Sequence, residues 1–370
     1  MQGKKLILLL TAAIGIWSCS TEVDLNAPYD SKTVVFGLLD PGLDTQWVKI
    51  NRTWLGEGNN ALVAAIRDSS EYASGAFVGV VQEIQNGTVI STYALHDTLL
   101  DNKETDGIFF APEHKAYYFA TPAGLNSNSE YRVSLDFPNK VDVEATTNII
   151  ATVVGNIIYP PIGNDNFKLN WATVSPNGTT YANQNIKWSS TANAKRYEAK
   201  LRIWIKEKEY ADNAQTQLLE ERIISLDWSL GTESPSTTNG GETILLPVNG
   251  ESFYRFLASR FDENPRIRRE LGIWDPVVQI ARSFDLILVV ANEELDTYLD
   301  INEPVTGIIQ ERPEYTNISN GLGLFASRSS QVAPGYGYTD GTMKELAIGQ
   351  FTSTLGFCSP NPFNEFYCGE

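Results

Sequence analysis

Short runs of β-branched and aromatic residues alternate with turn-forming residues along most of this 370-residue chain. Thr33–Leu39 and Trp47–Trp54 have the composition and two-residue alternation that are typical of strands. Further along, Asn86-Gly87 separates two more runs of this kind. An Asn-Gly pair between two β runs is a strong hairpin signal, because both residues tolerate positive φ. The pattern therefore predicts a mainly β fold.

The clearest sign of a particular β architecture lies between Leu125 and Tyr131. These residues flank an Asn/Ser-rich stretch, and Tyr131 then opens an alternating strand. The spacing resembles the tyrosine corner of immunoglobulin-like and fibronectin-III-like sandwiches, in which a buried tyrosine hydroxyl ties down the backbone of a crossover. We therefore predict an N-terminal immunoglobulin- or fibronectin-III-like β-sandwich over residues 33–150.

A second β-rich domain is predicted over residues 151–355. Its clearest strand is Tyr197–Ile205, where apolar residues occupy every second position. We expect Ile308–Glu311 and Gly323–Ser327 to be its last strands.

Short helices interrupt this second domain. The period of the apolar residues changes to that of an amphipathic helix at Ser252–Arg260 and again at Pro265–Leu271. Asn292 precedes two glutamates and is a good N-cap for a further helix that ends at Leu299. The second domain is therefore predicted to be an α+β elaboration of a sandwich.

The N-terminus has the layout of a bacterial lipoprotein signal peptide. Two lysines precede the apolar run Leu6–Trp17, which is too short to cross a bilayer, since that takes about 20 apolar residues. The segment Ile16-Trp17-Ser18-Cys19 resembles a lipobox, in which the cysteine is lipidated after cleavage. We predict a signal peptide over residues 1–18, diacylglycerol and N-acyl lipid on Cys19, and a lipidated tether over residues 19–32. An ordinary signal peptide with an unrelated cysteine is the alternative.

The chain has only three cysteines. If Cys19 carries lipid, Cys358 and Cys368 remain, and two remaining cysteines in an oxidising compartment are expected to pair. We predict one disulfide that closes a C-terminal tail over residues 356–370. A redox-active pair is disfavoured because the spacing is not Cys-x-x-Cys.

Composition excludes several classes of function. A net charge of −17 disfavours nucleic-acid binding, which needs clustered positive charge. The 2 histidines exclude multiple histidine-rich metal sites, and the 3 cysteines exclude a four-cysteine zinc cage. The chain has no nucleophile elbow and no His-Glu-x-x-His helix. We therefore predict a non-enzymatic protein without a metal or other cofactor.

One acidic cluster, around Asp296 and Asp300, has the oxygen ligands of a calcium site. It lacks the order and the central glycine of an EF-hand. We favour a solvated helix end for these carboxylates, because surface carboxylates are common in acidic proteins.

Two groups of residues are candidates for contact with a partner or a ligand. Exposed tryptophans serve as hot spots for protein partners and as stacking surfaces for sugars. The chain also has one basic cluster, which a further tryptophan follows; a solvated helix face is the alternative for its arginines. The candidate contact residues are Trp54, Trp204, Arg266, Arg268, Arg269 and Trp274.

The segment Tyr315–Phe325 reads Y-T-N-I-S-N-G-L-G-L-F and resembles the Y-S-N-I-x-N-G-L-G-I-F signature of the DUF4249 family of Bacteroidota lipoproteins. From the residues themselves, we expect a turn at Asn320-Gly321 that leads into a strand whose glycines permit close backbone packing. The motif residues are Tyr315, Asn317, Asn320, Gly321, Gly323 and Phe325.

The family resemblance implies an outer-membrane lipoprotein that accompanies a TonB-dependent receptor. The acidic residues after Cys19 resemble the surface-export signal of such lipoproteins, with a plain solvated tether as the alternative. We therefore expect a lipid-anchored accessory subunit that faces the cell surface and binds an outer-membrane β-barrel. The alternatives are a subunit of a larger outer-membrane assembly or secretion complex, and a stand-alone glycan- or peptide-binding lipoprotein.

Overall fold

The described part of the chain is mainly β, which confirms the predicted fold class. Within it there are 22 strands and four short helices. The predictions for the signal peptide, for Cys19 with most of its tether and for a strand at Ile308–Glu311 lie outside the described residues. The structure is a computed structural model that describes residues 30–55, 64–152, 156–164, 166–303 and 314–369.

The first eight strands surround an N-terminal core. Four of them form an antiparallel sheet, and the other four belong to a much larger sheet. Residues from both sheets, such as Val35 and Val133, are buried in one apolar cluster. A short helix, α1 (Arg67–Ser70), follows the second strand. The strands are β1 (Thr33–Leu39), β2 (Thr45–Arg52), β3 (Val78–Gln85), β4 (Thr88–Ala94), β5 (His96–Leu100), β6 (His114–Ala120), β7 (Glu130–Asp136) and β8 (Val143–Asn148).

Two predicted local features of this half are present. Asn86 and Gly87 have φ values of 51° and 76° and join β3 to β4 as a hairpin. The Tyr131 hydroxyl accepts a hydrogen bond from the Asn126 N–H at 3.0 Å, as the tyrosine-corner spacing predicts. Burial raises the pKa of Tyr131 to about 12, so its hydroxyl stays neutral in this role.

The remaining strands and helices build a C-terminal core. The predicted alternation of β14 is confirmed, because its apolar residues are buried at every second position. The helices are α2 (Gly250–Ala258), α3 (Glu293–Asn302) and α4 (Asp340–Ile348). The strands are β9 (Ile157–Tyr159), β10 (Lys168–Leu169), β11 (Ala172–Ser175), β12 (Gly178–Tyr181), β13 (Gln184–Ser189), β14 (Arg196–Tyr210), β15 (Leu218–Glu233), β16 (Thr243–Val248), β17 (Ile267–Leu271), β18 (Ile273–Asp275), β19 (Ile280–Arg282), β20 (Phe284–Ala291), β21 (Gly321–Tyr338) and β22 (Phe357–Cys358).

A single eleven-stranded sheet runs through both halves, in the order β22-β17-β14-β20-β21-β1-β2-β6-β5, with β10 on β21 and β15 on β14. The halves meet where β1 pairs in parallel with β21, from Thr33 opposite Gly321 to Leu39 opposite Ser327. The start of β21 contributes Phe325 to the N-terminal core, and its end contributes Tyr336 to the C-terminal core. One long strand therefore serves both cores.

The helix predicted over Pro265–Leu271 is wrong. Residues Ile267–Leu271 form β17, which pairs with β14 and β22. Arg269 on this strand is buried because it forms an ion pair with Glu207 on β14. Because the buried residue Arg269 is charged, the apolar residues of this strand do not occupy every second position. Their spacing therefore resembles that of a short helix.

Two other elements differ from the prediction: one strand is longer, and one helix is additional. The last long strand was predicted over Gly323–Ser327 but continues to Tyr338. Helix α4 was not predicted; it begins after Thr339, whose hydroxyl caps the helix by accepting from the Thr342 N–H. The helix capped by Asn292 is confirmed as α3.

Gly323 provides a test of the contact between β1 and β21. Its φ is 113°, and an added Cβ would lie 2.0 Å from the carbonyl oxygen of Val35. We expect Gly323→Ala to lower the free energy of unfolding by about 3 kcal/mol or more, since backbone strain and overpacking add. Urea unfolding followed by tryptophan fluorescence measures the loss.

The matched control is Gly87→Ala. Gly87 also has a positive φ, of 76°, but no atom lies within 4 Å of an added Cβ. This control should cost only about 1–2 kcal/mol, from the strained backbone alone. Equal losses for the two variants would contradict a structural role for the close approach at Gly323.

Candidate functional site

Two tryptophans that the sequence singles out line the same open cleft. Trp204 lies on β14 and Trp274 on β18, and the cleft between them has a volume of about 420 Å³. Ile273, Pro276 and Pro334 form its other apolar walls. We call this surface the tryptophan cleft.

Gly272 explains why the two tryptophans line one cleft. It has a φ of 84°, and an added Cβ would lie 2.1 Å from the Ser283 hydroxyl oxygen. Its N–H donates to the Trp204 carbonyl at 2.8 Å. Because only glycine fits this position, the chain can turn sharply after β17, and the β18–β19 hairpin then brings Trp274 to the cleft that Trp204 lines.

The two carboxylates of the cleft are bonded within the protein. One oxygen of Asp285 accepts from Trp204 Nε1 at 2.8 Å, and the other accepts a backbone N–H of β21 at 2.9 Å. Asp275 accepts from Arg282 Nε at 3.0 Å, and this bond lowers the pKa of Asp275. The cleft therefore presents aromatic and apolar surface, while its carboxylates already have hydrogen-bond partners.

Two exposed apolar side chains lie close to residues of the cleft. Val277, which follows Pro276 in the chain, is 88% exposed, and Phe363 is 78% exposed. The Phe363 ring meets Trp274 edge-on, with 6.4 Å between the ring centroids. The disulfide between Cys358 and Cys368 is formed as predicted, and Phe363 lies in the loop that it closes. Contiguous exposed apolar residues of this kind mark surfaces that bind partners.

Two residues of this surface were not among the predicted contact residues. Asp285 is the only charged residue in the apolar strand β20, and a lone carboxylate in such a strand indicates a specific hydrogen-bond partner. That signal could have identified it. Phe363 has no comparable signal, because its position depends on how the disulfide-closed tail packs.

Trp54 does not join the tryptophan cleft. It lies after β2 in the N-terminal half, where it is partly buried and its ring meets Phe109 edge-on at 6.2 Å.

The structure places the three arginines of the basic cluster in different environments. Arg269 is buried: its Nε donates to Glu207 at 2.9 Å, and the two side chains are 4% and 6% exposed. The Arg268 guanidinium donates to Gln215 and to the Cys368 carbonyl. Arg266 is exposed. Arg268 and Arg269 thus stabilise the fold.

The segment Tyr315–Phe325, on which the family resemblance rests, lies at the junction of the two halves. The Asn317 amide bonds the backbone of Phe325 twice, at 2.7 Å to the carbonyl and at 2.9 Å from the N–H. Gly321 and Gly323 face the backbone of β1, where an added Cβ would collide with carbonyl oxygens. This geometry supports the expected role of the glycines in close packing.

The other two motif residues lie beside this junction. Asn320 has a φ of 57° in the turn before β21, and its amide donates to the Asp142 carbonyl at 3.0 Å. Tyr315 is partly buried, and burial together with the charge of Glu294 raises its pKa. Neither residue contacts the tryptophan cleft.

The carboxylates of the acidic cluster at α3 form ion pairs with an arginine of the same chain. The guanidinium of Arg196 contacts Asp296 at 2.5 Å, Asp300, and Glu303 at 3.2 Å. Among the described residues, no group of three or more histidines, cysteines or carboxylates could hold a metal ion. In the same ranges, none of the helices has the length and apolar character needed to span a bilayer.

No protein-family model matches the chain, and a search of curated proteins finds no match. We therefore infer its function from its own residues.

Arg269 provides a test of the structural role of the basic cluster. Removing one partner of a buried ion pair leaves the other charge poorly compensated, and Arg222 compensates Glu207 only in part. We expect Arg269→Ala to lower the free energy of unfolding by about 3 kcal/mol. Arg266→Ala is the control, since an exposed side chain should change stability by less than about 0.5 kcal/mol. Similar urea midpoints for the two variants would contradict this assignment.

Proposed function

We propose that this protein is a lipid-anchored, non-enzymatic accessory subunit that binds an outer-membrane β-barrel through the tryptophan cleft. A TonB-dependent receptor is the favoured partner, and the proposed location is the outer membrane, facing the cell surface. The observation that carries the proposal is the open cleft lined by Trp204 and Trp274.

The chemistry of the cleft favours a protein partner over a glycan. Glycan recognition needs hydrogen-bonding groups as well as stacking surface, and Asp275 and Asp285 are already bonded within the protein. Aromatic and aliphatic side chains of a partner can instead fill the cleft and exclude water, as at the centres of protein interfaces. A glycan- or peptide-binding lipoprotein that acts alone is therefore the weaker candidate.

The anchor is the second part of the proposal. The lipobox ending at Cys19 supports a lipid-modified N-terminus. More than one acyl chain is needed for stable anchoring, and diacylglycerol with an N-acyl group supplies several. The choice of a TonB-dependent receptor rests on the family resemblance of the Tyr315–Phe325 segment. A subunit of a larger assembly or secretion complex uses the same anchor and remains the alternative partner class.

We further propose that the fold consists of an immunoglobulin- or fibronectin-III-like sandwich followed by a second β-rich domain with α+β elaboration. A shared detail supports this. Tyr131 accepts the Asn126 N–H in the first half, and Tyr197 accepts the Thr191 N–H at 2.7 Å in the second. Both tyrosines are fully buried.

The anchor is tested by Cys19→Ala. Without the acylated thiol, we expect the protein to leave the membrane fraction and appear as a soluble species, because no acyl chain remains to hold it. Immunoblots of carbonate-washed outer membranes measure the change. Tight membrane association of the variant would contradict the lipid anchor.

The partner is tested by affinity purification from detergent-solubilised outer membranes. We expect a TonB-dependent receptor to copurify with the wild-type protein, and its yield to fall about tenfold or more with Trp274→Ala, as for a tryptophan hot spot. The yield is measured by quantitative mass spectrometry.

Trp47→Ala is the matched control, because Trp47 is an exposed tryptophan on β2, outside the cleft. It should leave the yield unchanged. Copurification of an assembly or secretion barrel would favour the alternative complex. Recovery of the lipoprotein alone, or equal loss with both variants, would contradict docking through the cleft.

A further inference from the structure

A second pocket lies in the N-terminal half, apart from the tryptophan cleft. It has a volume of about 360 Å³ and lies between β2, α1 and the segment that joins β5 to β6. That volume is within the range of about 300–1,000 Å³ that is usual for small-molecule sites. We call it the basic pocket; its side chains include Lys49, Asn51, Arg67, Glu71, Lys103 and Phe110.

Buried polar atoms without a hydrogen bond are concentrated at the basic pocket. Among the described residues there are five such side-chain atoms, and three of them are Asn51 Oδ1, Arg67 Nε and Glu71 Oε2. Arg67 Nε and Glu71 Oε2 lie 3.7 Å apart as an ion pair, so Asn51 Oδ1 is the one atom of the three without a partner. An unpaired buried polar group costs about 1–3 kcal/mol, so this oxygen indicates a place where a ligand can supply a donor.

The pocket also carries an excess of positive charge. Lys49 Nζ lies 3.7 Å from Glu71 and bonds His114 Nδ1 at 3.1 Å. Arg67 pairs with Glu71 and with Glu113. Lys103 donates to the Phe110 carbonyl and has no carboxylate partner in the described ranges. This region thus has three cations but only two carboxylates, the buried Glu71 and the exposed Glu113.

Burial is the main cause of the lowered pKa of two groups in the pocket. It lowers the pKa of Lys49, where the charge of Glu71 opposes the shift and that of Lys103 adds to it. Burial also lowers the pKa of His114, as does the charge of Lys49. The imidazole is therefore held neutral, which suits it to accept the hydrogen bond from Lys49.

One aromatic ring, that of Phe110, lines the pocket. Arg67 stacks over the Phe110 ring at 4.6 Å, and Lys103 lies 5.5 Å from the centre of the neighbouring, exposed Phe109 ring. These rings add apolar surface next to the charged groups.

We propose that the basic pocket binds an acidic sugar, with its carboxylate at Lys103 and Lys49 and a hydroxyl donating to Asn51. Sulfate alone offers only acceptors and leaves Asn51 Oδ1 unpaired. A neutral sugar offers donors but no counter-charge for Lys103, which has no carboxylate partner in the described ranges. Asn51 Oδ1 is shielded from bulk solvent, so binding requires a small side-chain movement. This site is independent of the proposed docking through the tryptophan cleft.

Calorimetric titration of the purified lipoprotein in detergent tests the site, with D-glucuronate as the probe. We expect saturable binding of one glucuronate per chain, and affinities for D-glucose and for sulfate that are weaker by about tenfold or more. Lys103→Gln and Asn51→Ala should each weaken glucuronate binding by about tenfold, since each removes one of the two kinds of contact.

Lys140→Gln is the matched control, because Lys140 lines a different pocket, near β1. It should bind glucuronate as the wild type does. Lys103 is a surface side chain, so Lys103→Gln keeps the test valid if Asn51→Ala fails to fold. The absence of saturable binding, sulfate affinity equal to that of glucuronate, unchanged binding by Lys103→Gln, or equal weakening by Lys140→Gln would each overturn the proposal.

Discussion

The parallel pairing of β1 with β21 is the contact on which the rest of the architecture depends. It joins strands from opposite ends of the described chain, and Ser327 Oγ also donates to the Leu39 carbonyl at 3.1 Å. Gly323 permits the close approach, since any side chain there would collide with the Val35 carbonyl. Because this pairing closes a very long loop, it costs more chain entropy to form than the local hairpins of the sheet.

Local signals in the sequence predict local structure well and long-range structure poorly. The hairpin at Asn86-Gly87, the Tyr131 hydrogen bond and the alternation of β14 all depend on neighbouring residues, and all are present. Strand β17 was mistaken for a helix because the ion pair with Glu207 lets Arg269 be buried.

The candidate site, too, could be predicted only where it depends on local sequence. Trp204 and Trp274 could be named from their neighbours, but their place in one cleft depends on the turn at Gly272 and on the pairing of distant strands. Most arginines that look available in the sequence are engaged internally: Arg196 with the carboxylates of α3, Arg269 with Glu207. In a chain with a net charge of −17, this leaves an acidic surface that disfavours adsorption to anionic membranes. The proposed docking would therefore rest on specific contacts rather than on bulk electrostatic attraction.

An apolar cleft of modest size can suffice for docking if the protein is held close to its partner. The predicted tether over residues 19–32 can extend to at most about 50 Å, from the reach of a fully extended chain. Acylation of Cys19, as proposed, would keep the start of β1 within this distance of the membrane in which the barrel lies. Binding then becomes effectively intramolecular within the membrane surface, and the high effective concentration compensates for a weak contact. The same confinement would leave a soluble fragment without the anchor a much poorer competitor for the barrel, although its tryptophan cleft is unchanged.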